Sequence, residues 1–232
     1  MVFDRRRRTY YRAPLEAVPP AVIHAARPRP STVPTWAAWC LVGLLVALLV
    51  VNTLLVPSLD GHPHVPEVIT AAVYLAVSIA LHEASHVAAL RTFGRSIDKI
   101  GFRMNHWVFP AFSVRMNQSL LLSRQEQVCV HAAGLLVNLV VNAVTLVCNR
   151  WSWQSPALDF AASAVFVAAA WNVVPFLNSD GYRVLLSLTG TNATRELRAN
   201  PFWLISLKIV GVLFVIAVVT HTVFTFTRSA LA

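Results

Sequence analysis

Two histidines four residues apart enclose an acidic residue in the segment His82-Glu83-Ala84-Ser85-His86. Residues with this spacing share one face of a helix, so both imidazoles can bind the same metal ion. Glu83 follows His82 directly and can act as the general base for a water molecule on that metal. A solvated helix end would explain the same residues, but the apolar run continues past His86, where unpaired polar groups are costly. The segment therefore indicates metal-dependent hydrolysis.

A zinc site with two histidines needs a third protein ligand and an open position for water, and the chain offers ten acidic residues. We expect Asp180 to supply this ligand, because it follows an apolar stretch at the predicted level of the histidine pair. Asn172, Pro175 and Gly181 surround it, and such residues unwind a helix or let backbone approach a site. A turn aspartate before glycine has the same spacing, but the match in depth favours a ligand.

The other acids are set aside by their predicted positions. Glu126 and Glu196 lie near the correct membrane face but among arginines, where solvated ion pairs are expected. The rest fall in the N-terminal tail, in a basic loop or towards the opposite membrane face: Asp4, Glu16, Asp60, Glu67, Asp98 and Asp159.

The composition indicates a membrane protein, since 56% of the 232 residues are hydrophobic and 12% are charged. A soluble domain carries about 25% charged residues, so a disordered chain, a disulfide scaffold and an ordinary cytosolic enzyme are excluded. A transmembrane helix needs about 20 apolar residues. We expect an all-α membrane protein with about five transmembrane helices, near residues 36–56, 68–90, 128–147, 157–176 and 202–226.

The basic residues assign sides to these helices. The chain has 19 Lys and Arg against 10 Asp and Glu, and the arginines concentrate in residues 1–35 and in alternate loops. Cytoplasmic loops are enriched in Lys and Arg, so we predict a basic cytoplasmic tail at 1–35, an active-site side facing the cytoplasm and a C-terminus outside. Anionic lipid is the expected partner of the tail. Nucleic acid is not expected, because long apolar segments follow the tail, without the interleaved aromatic and basic residues of a nucleic-acid groove.

The cytoplasmic loop 97–116 is too polar to span the membrane and partly alternates between polar and apolar residues. It is predicted to form a short β-hairpin or a re-entrant loop, because Gly101 and Pro110 interrupt helix. Paired strands would offer an edge to an extended peptide. A connector lying on the membrane surface explains the same pattern equally well.

Together these motifs resemble the site-2 protease family of intramembrane zinc metalloproteases. The segment 82–86 is followed by Asn172-x-x-Pro175 and Asp180-Gly181 at the family's spacing, and Gly134-x-x-x-Asn138 is similar to a further family motif. Phe109-Pro110-Ala111-Phe112 looks closest to the bacterial peptide zinc metalloprotease branch. The resemblance implies an intramembrane metalloprotease core at about 68–188 and leaves the tail, the first helix and the last helix outside it.

Carried over residue by residue, the resemblance implies one Zn²⁺ per chain, bound by His82, His86 and Asp180. It implies that Glu83 is the catalytic base and that Asn172 hydrogen-bonds to the substrate or to the tetrahedral oxyanion.

Three further residues carry expectations from the resemblance. Asn138 is expected to pack or hydrogen-bond between helices. Asn178 and Ser179 replace the apolar or proline residues that often precede the family's aspartate, so the pocket wall is expected to differ.

The resemblance further implies hydrolysis of a peptide bond within or beside the bacterial cytoplasmic membrane by a multi-pass protein. Two classes of substrate fit this reaction. One is a ribosomally made precursor peptide, which the bacterial-branch motif favours. The other is a membrane-anchored regulator that is cut in regulated intramembrane proteolysis. A catalytically silent membrane chaperone or export partner is the alternative from another class, against which the complete motif argues. A metal transporter is less favoured, because the first and last spans hold few polar residues. The oligomeric state is left open.

Overall fold

The computed structural model describes residues 2–4, 9–11, 30–57, 63–105, 109–174, 179–191 and 200–213. Within these ranges the chain is mostly helical. Its elements are, in order, β1 Val2–Asp4, β2 Thr9–Tyr11, α1 Thr35–Leu55, α2 Val65–Thr92, β3 Lys99–Asn105, β4 Phe109–Arg115, a 3-10 turn Asn117–Leu121, α3 Arg124–Cys148 with a π-helical turn Asn149–Trp153, α4 Pro156–Val173, α5 Asp180–Thr189 and α6 Phe202–Leu213.

Four of these helices, α1 to α4, are long and apolar enough to cross a membrane. The predictions of a mainly helical chain and of apolar helices long enough to span a membrane are therefore confirmed. The predicted fifth span, 202–226, is described only as the short apolar helix α6, and its remaining residues lie outside the described ranges. The count of five spans and their orientation stay predictions.

Two antiparallel strand pairs accompany the helices. β1 and β2 pair within the predicted tail, with Val2 opposite Tyr11; residues 12–29 of that tail lie outside the described ranges. β3 and β4 form a hairpin within the predicted loop 97–116, with Lys99 opposite Arg115. The position of this hairpin relative to a membrane stays a prediction.

Helix α3 is the central element, because it contacts α1, α2, α4 and α5. Small and aliphatic side chains along it allow close packing with all four neighbours. The resulting core cluster joins Val128, Ala132, Leu135 and Leu139 of α3 to Ala38 and Leu45 of α1, Ala169 of α4 and Val184 of α5. The helix outside the family resemblance, α1, is therefore packed into the same core.

A buried polar network also joins α1 to α3. Nδ2 of Asn52 donates to the carbonyl of Leu139 at 3.0 Å, and its Oδ1 accepts from Nδ2 of Asn142 at 3.0 Å. Both asparagines are fully buried. At the same level, Tyr74 of α2 donates to Oγ1 of Thr145 at 3.0 Å. Hydrogen bonds in apolar surroundings fix how neighbouring helices are placed.

Helix α2 buries a single stripe of residues spaced four apart: Ser78, His82, His86 and Leu90. This stripe faces α3, and the two helices run antiparallel, because Tyr74 meets the second half of α3 whereas His86 meets Val130 near its start. Side chains on the other faces of α2, such as Val73 and Leu81, are exposed and suit contact with lipid. The histidine spacing thus places both rings on the stripe of α2 that is buried against α3.

Glu126 has a different role from the solvated ion pair that its basic neighbours indicate, so that expectation is wrong. It is fully buried at the start of α3. Its Oε1 accepts from Oγ1 of Thr32 at 2.7 Å, and its Oε2 accepts from the backbone N–H of Ser123 at 2.9 Å. Glu126 therefore completes the N-terminal cap of α3 and holds the segment that leads into α1.

Candidate metal centre

Three side chains from α2 and α5 converge beside α3. Nε2 of His82 lies 2.8 Å from Oδ2 of Asp180, and Nε2 of His86 lies 3.3 Å from the same oxygen. The two Nε2 atoms are 3.1 Å apart. Among the described residues, these three form the one group of His, Cys, Asp and Glu whose ligand atoms are close enough to hold an ion together.

The dimensions and donors of this group fit a tetrahedral zinc ion. Zinc ligands lie about 2.0–2.1 Å from the metal, so neighbouring ligand atoms of a tetrahedral site are about 3.3 Å apart. The measured separations of 2.8–3.3 Å are equal to this value or slightly below it. Two imidazoles and one carboxylate leave a fourth position for water, as in catalytic zinc sites.

Helix α3 fixes the ring of His86 through its backbone. Nδ1 of His86 lies 2.6 Å from the carbonyl oxygen of Val130. Because a carbonyl only accepts, Nδ1 carries the hydrogen and Nε2 presents its lone pair. The role of Val130 could not be predicted from the sequence, since a backbone acceptor leaves no signal in residue type.

Gly134 lies against both imidazoles, one turn further along α3. A Cβ at this position would come within 2.6 Å of Cε1 of His82 and of Nε2 of His86. The two rings pack edge to face with centroids 4.7 Å apart, which leaves little room for either to shift. Any side chain at position 134 would therefore displace the pair.

Asn138 follows one more turn along the same stripe and faces His82. Its Nδ2 lies 3.3 Å from Nδ1 of His82. The hydrogen bond between helices that was expected of Asn138 is thus made to one of the proposed metal ligands. Val130, Gly134 and Asn138, spaced four residues apart, together face the buried stripe of α2.

Asp180 is placed by the residues on either side of it. Ser179 caps α5 by accepting a backbone N–H of the first turn at 3.1 Å, and its hydroxyl donates to the carbonyl of Val174 at 2.7 Å. Gly181 lies so close to the carbonyl of Val173 that a Cβ would collide with it. The start of α5 is therefore held against the end of α4. Position 178 lies outside the described residues.

Asn172 of α4 binds Asp180 with both ends of its carboxamide. Its Nδ2 donates to Oδ2 of Asp180 at 3.0 Å, and its Oδ1 accepts the backbone N–H of Asp180 at 3.1 Å. This pair aims the carboxylate at the histidines. The predicted contact between Asn172 and the substrate or oxyanion stays a prediction, for which Nδ2 has a second hydrogen.

Glu83 is half-buried and directly follows His82 in the helix. Successive helix residues are rotated by about 100°, so Glu83 lies to one side of the stripe that carries the two rings. It lies outside the group of three ligand atoms, and its role as the base stays a prediction.

The remaining acids with described side chains serve local structure. Glu67 accepts the N–H of the residue before α2 at 2.7 Å, Asp98 accepts a backbone N–H of the 3-10 turn at 2.8 Å, and Asp159 accepts from a side-chain amide at the end of α3 at 2.7 Å. Together with Glu126, these residues are occupied away from the histidines. Asp180 is the acid that joins the pair.

Comparison with known proteins finds a similar chain among the curated proteins. The chain is 36% identical over 154 residues to a Bacillus subtilis (strain 168) protein named "Putative peptide zinc metalloprotease protein YydH". This chain is similar to a peptide zinc metalloprotease. The likeness confirms the resemblance that the motifs indicate, and it supports zinc as the metal.

The match covers 66% of this chain and 61% of the relative, so the chain spans about three fifths of the relative's length. No family model and no solved structure matches the chain.

Proposed function

We propose that the chain is an intramembrane zinc metallopeptidase of the site-2 protease type. The observation that supports this most is the convergence of His82, His86 and Asp180 among helices that can span a membrane. Val130 and Gly134, which contact the rings, lie six and ten residues into α3, about 9 and 15 Å along its axis. A bilayer core is about 30 Å thick, and these positions support a centre at membrane depth.

The chain's own residues supply the remaining parts of the reaction. Zn²⁺ bound at this group supplies Lewis-acid polarisation of the scissile carbonyl and activation of a water molecule. Glu83 takes the proton of the attacking water and then donates it to the leaving amine. Asn172 is proposed to donate a hydrogen bond to the carbonyl oxygen as negative charge develops there. The buried stripe of α2 keeps both imidazoles in place throughout.

The proposed substrate is a precursor peptide, cut during its maturation at the membrane. The word "peptide" in the relative's name and the Phe109-Pro110-Ala111-Phe112 motif support this choice. A helical segment keeps its scissile carbonyl in a backbone hydrogen bond, so it must unwind before cleavage. The β3–β4 hairpin is proposed to pair with the unwound segment as an added strand.

The substitution Glu83→Gln tests the proposed function. The variant is expected to keep about one zinc per chain, because the three ligands are unchanged. Its cleavage rate should fall by about 10²–10⁴-fold, the usual contribution of a general base. Zinc content is measured by atomic absorption, and cleavage is followed in proteoliposomes with a synthetic precursor peptide as the probe.

Glu67→Gln is the matched control, since Glu67 caps the other end of the same helix. It should retain both zinc and cleavage. Undiminished cleavage by Glu83→Gln would contradict the mechanism. A wild-type protein that binds zinc but cleaves neither the precursor peptide nor a membrane-anchored regulator would favour a silent chaperone instead.

A further inference from the structure

The two imidazoles of the proposed centre are held by different kinds of partner. Nδ1 of His86 faces a backbone carbonyl at 2.6 Å, which can only accept. Nδ1 of His82 faces the carboxamide of Asn138 at 3.3 Å, while its Nε2 lies 2.8 Å from Oδ2 of Asp180. Oδ1 of Asn138 is buried and has no hydrogen-bond partner in the described part of the chain.

A carboxamide can serve either neutral tautomer of His82. When Nε2–H donates to Asp180, Nδ1 is an acceptor and the amide nitrogen of Asn138 donates to it. When Nε2 binds a metal, Nδ1 carries the hydrogen, and the amide oxygen must accept it. A half-turn about the last side-chain torsion of Asn138 exchanges the two amide atoms in place.

We propose that Asn138 is a positioning residue for the metal, an inference that rests on the proposed function. Its amide oxygen accepts the Nδ1–H of His82 and so presents Nε2 to Zn²⁺, as the carbonyl of Val130 does for His86. Metal-bound histidines almost always donate their second N–H to an oxygen, and loss of such a partner weakens metal binding about 10–100-fold. The Gly134-x-x-x-Asn138 motif is then part of the metal centre and not only a helix-packing motif.

Zinc affinity tests this inference without requiring catalysis. Asn138→Leu keeps the branched shape and the number of heavy atoms without polar atoms, and it should raise the Kd for Zn²⁺ about 10–100-fold. Asn138→Asp keeps an oxygen beside Nδ1 and should bind Zn²⁺ within about threefold of the wild type, or more tightly. The Kd is measured in detergent by competition with a chromophoric chelator. A packing role alone predicts the reverse order, because leucine suits an apolar site and a buried carboxylate does not.

Asn142→Leu is the matched control, one turn further along the same helix. Asn142 is fully buried and donates to Asn52, so the control should lower the Tm while its Kd for Zn²⁺ stays that of the wild type. Asn138→Ala removes the same acceptor and serves if Asn138→Leu does not fold.

The outcomes separate this inference from the proposed function. A wild-type protein that binds no Zn²⁺ contradicts the proposed function. A wild-type protein that binds Zn²⁺, with Asn138→Leu or Asn138→Ala of equal Kd, contradicts the role of Asn138 alone.

Discussion

Gly134 sets how closely the two rings of the proposed metal centre approach α3. Hydrogen in place of a side chain leaves room for the edge of His82 and for Nε2 of His86. Glycine is required at position 134 because the histidine rings lie so close, and not because the backbone adopts an unusual angle. A single methyl group is therefore enough to disturb a site whose ligands are otherwise intact.

Gly134→Ala is expected to weaken zinc binding by about tenfold or more, because the new Cβ pushes both imidazoles away from their oxygen partners. Chelator competition measures the change. Gly43→Ala on α1 is the control, since a Cβ there meets nothing within 4 Å, and it should bind zinc as the wild type does. Equal zinc affinity in the two variants would show that the rings can move aside without cost.

At the scale of helices, the position of α1 depends on hydrogen bonds as well as on apolar packing. Asn52 is fully buried, and its partners on α3 are the carbonyl of Leu139 and the amide of Asn142. Removing its side chain takes away the acceptor of the Asn142 amide and the additional donor to the Leu139 carbonyl, in apolar surroundings. The metal centre lies elsewhere on α3, so a change at Asn52 can alter stability without altering zinc binding.

Asn52→Ala is expected to lower the free energy of unfolding by about 0.6–2 kcal/mol, the range measured for hydrogen bonds between membrane helices. Zinc affinity should not change. Unfolding in denaturing detergent, followed by circular dichroism, measures the loss. Thr53→Ala is the control, because Thr53 is exposed and bonds only to its own helix among the described contacts. An equal loss of stability in both variants would show that the hydrogen bonds between α1 and α3 do not hold α1 in place.

The helices were more predictable from sequence than the contacts between them. The apolar runs predict α1 to α4 to within a few residues, because membrane thickness sets their length. The four-residue spacing of His82 and His86 predicts a shared helix face, because residues four apart lie on the same side of a helix. The carbonyl of Val130, the partner of Asn138 and the burial of Glu126 depend on how the helices rotate and slide against each other. One-dimensional patterns do not contain that information.

At the scale of the whole molecule, exposed tryptophans lie at both ends of the helix bundle. Trp36 and Trp39 are at the start of α1, which Thr32 ties to the start of α3, whereas Trp151 and Trp153 follow the end of α3. About 27 residues of helix separate the two groups along α3, roughly 40 Å. Aromatic belts mark the two membrane interfaces at about this spacing, which supports a membrane-spanning arrangement of the bundle.

The predicted orientation is tested at the two ends of α2. Val65 and Arg91 are both exposed, and the native cysteines Cys40, Cys129 and Cys148 are free and are first replaced by serine. In intact cells, a membrane-impermeant maleimide should label Val65→Cys, whereas Arg91→Cys should react only after permeabilisation, because basic loops stay cytoplasmic. Labelling in the opposite order would place the active-site side outside the cell.

The four-residue repeat that pairs α2 with α3 also restricts the length of both helices. It joins Tyr74 to Thr145 at one level and His82 to Asn138 at another. An insertion or deletion of one residue between Tyr74 and His82 would rotate one group by about 100° relative to the other. Only one of the two groups could then still face α3. Either the zinc ligands would be correctly placed and the contact of Tyr74 would be lost, or Tyr74 would keep its contact and the zinc ligands would be displaced. In this stretch, the number of residues is as constrained as their identity.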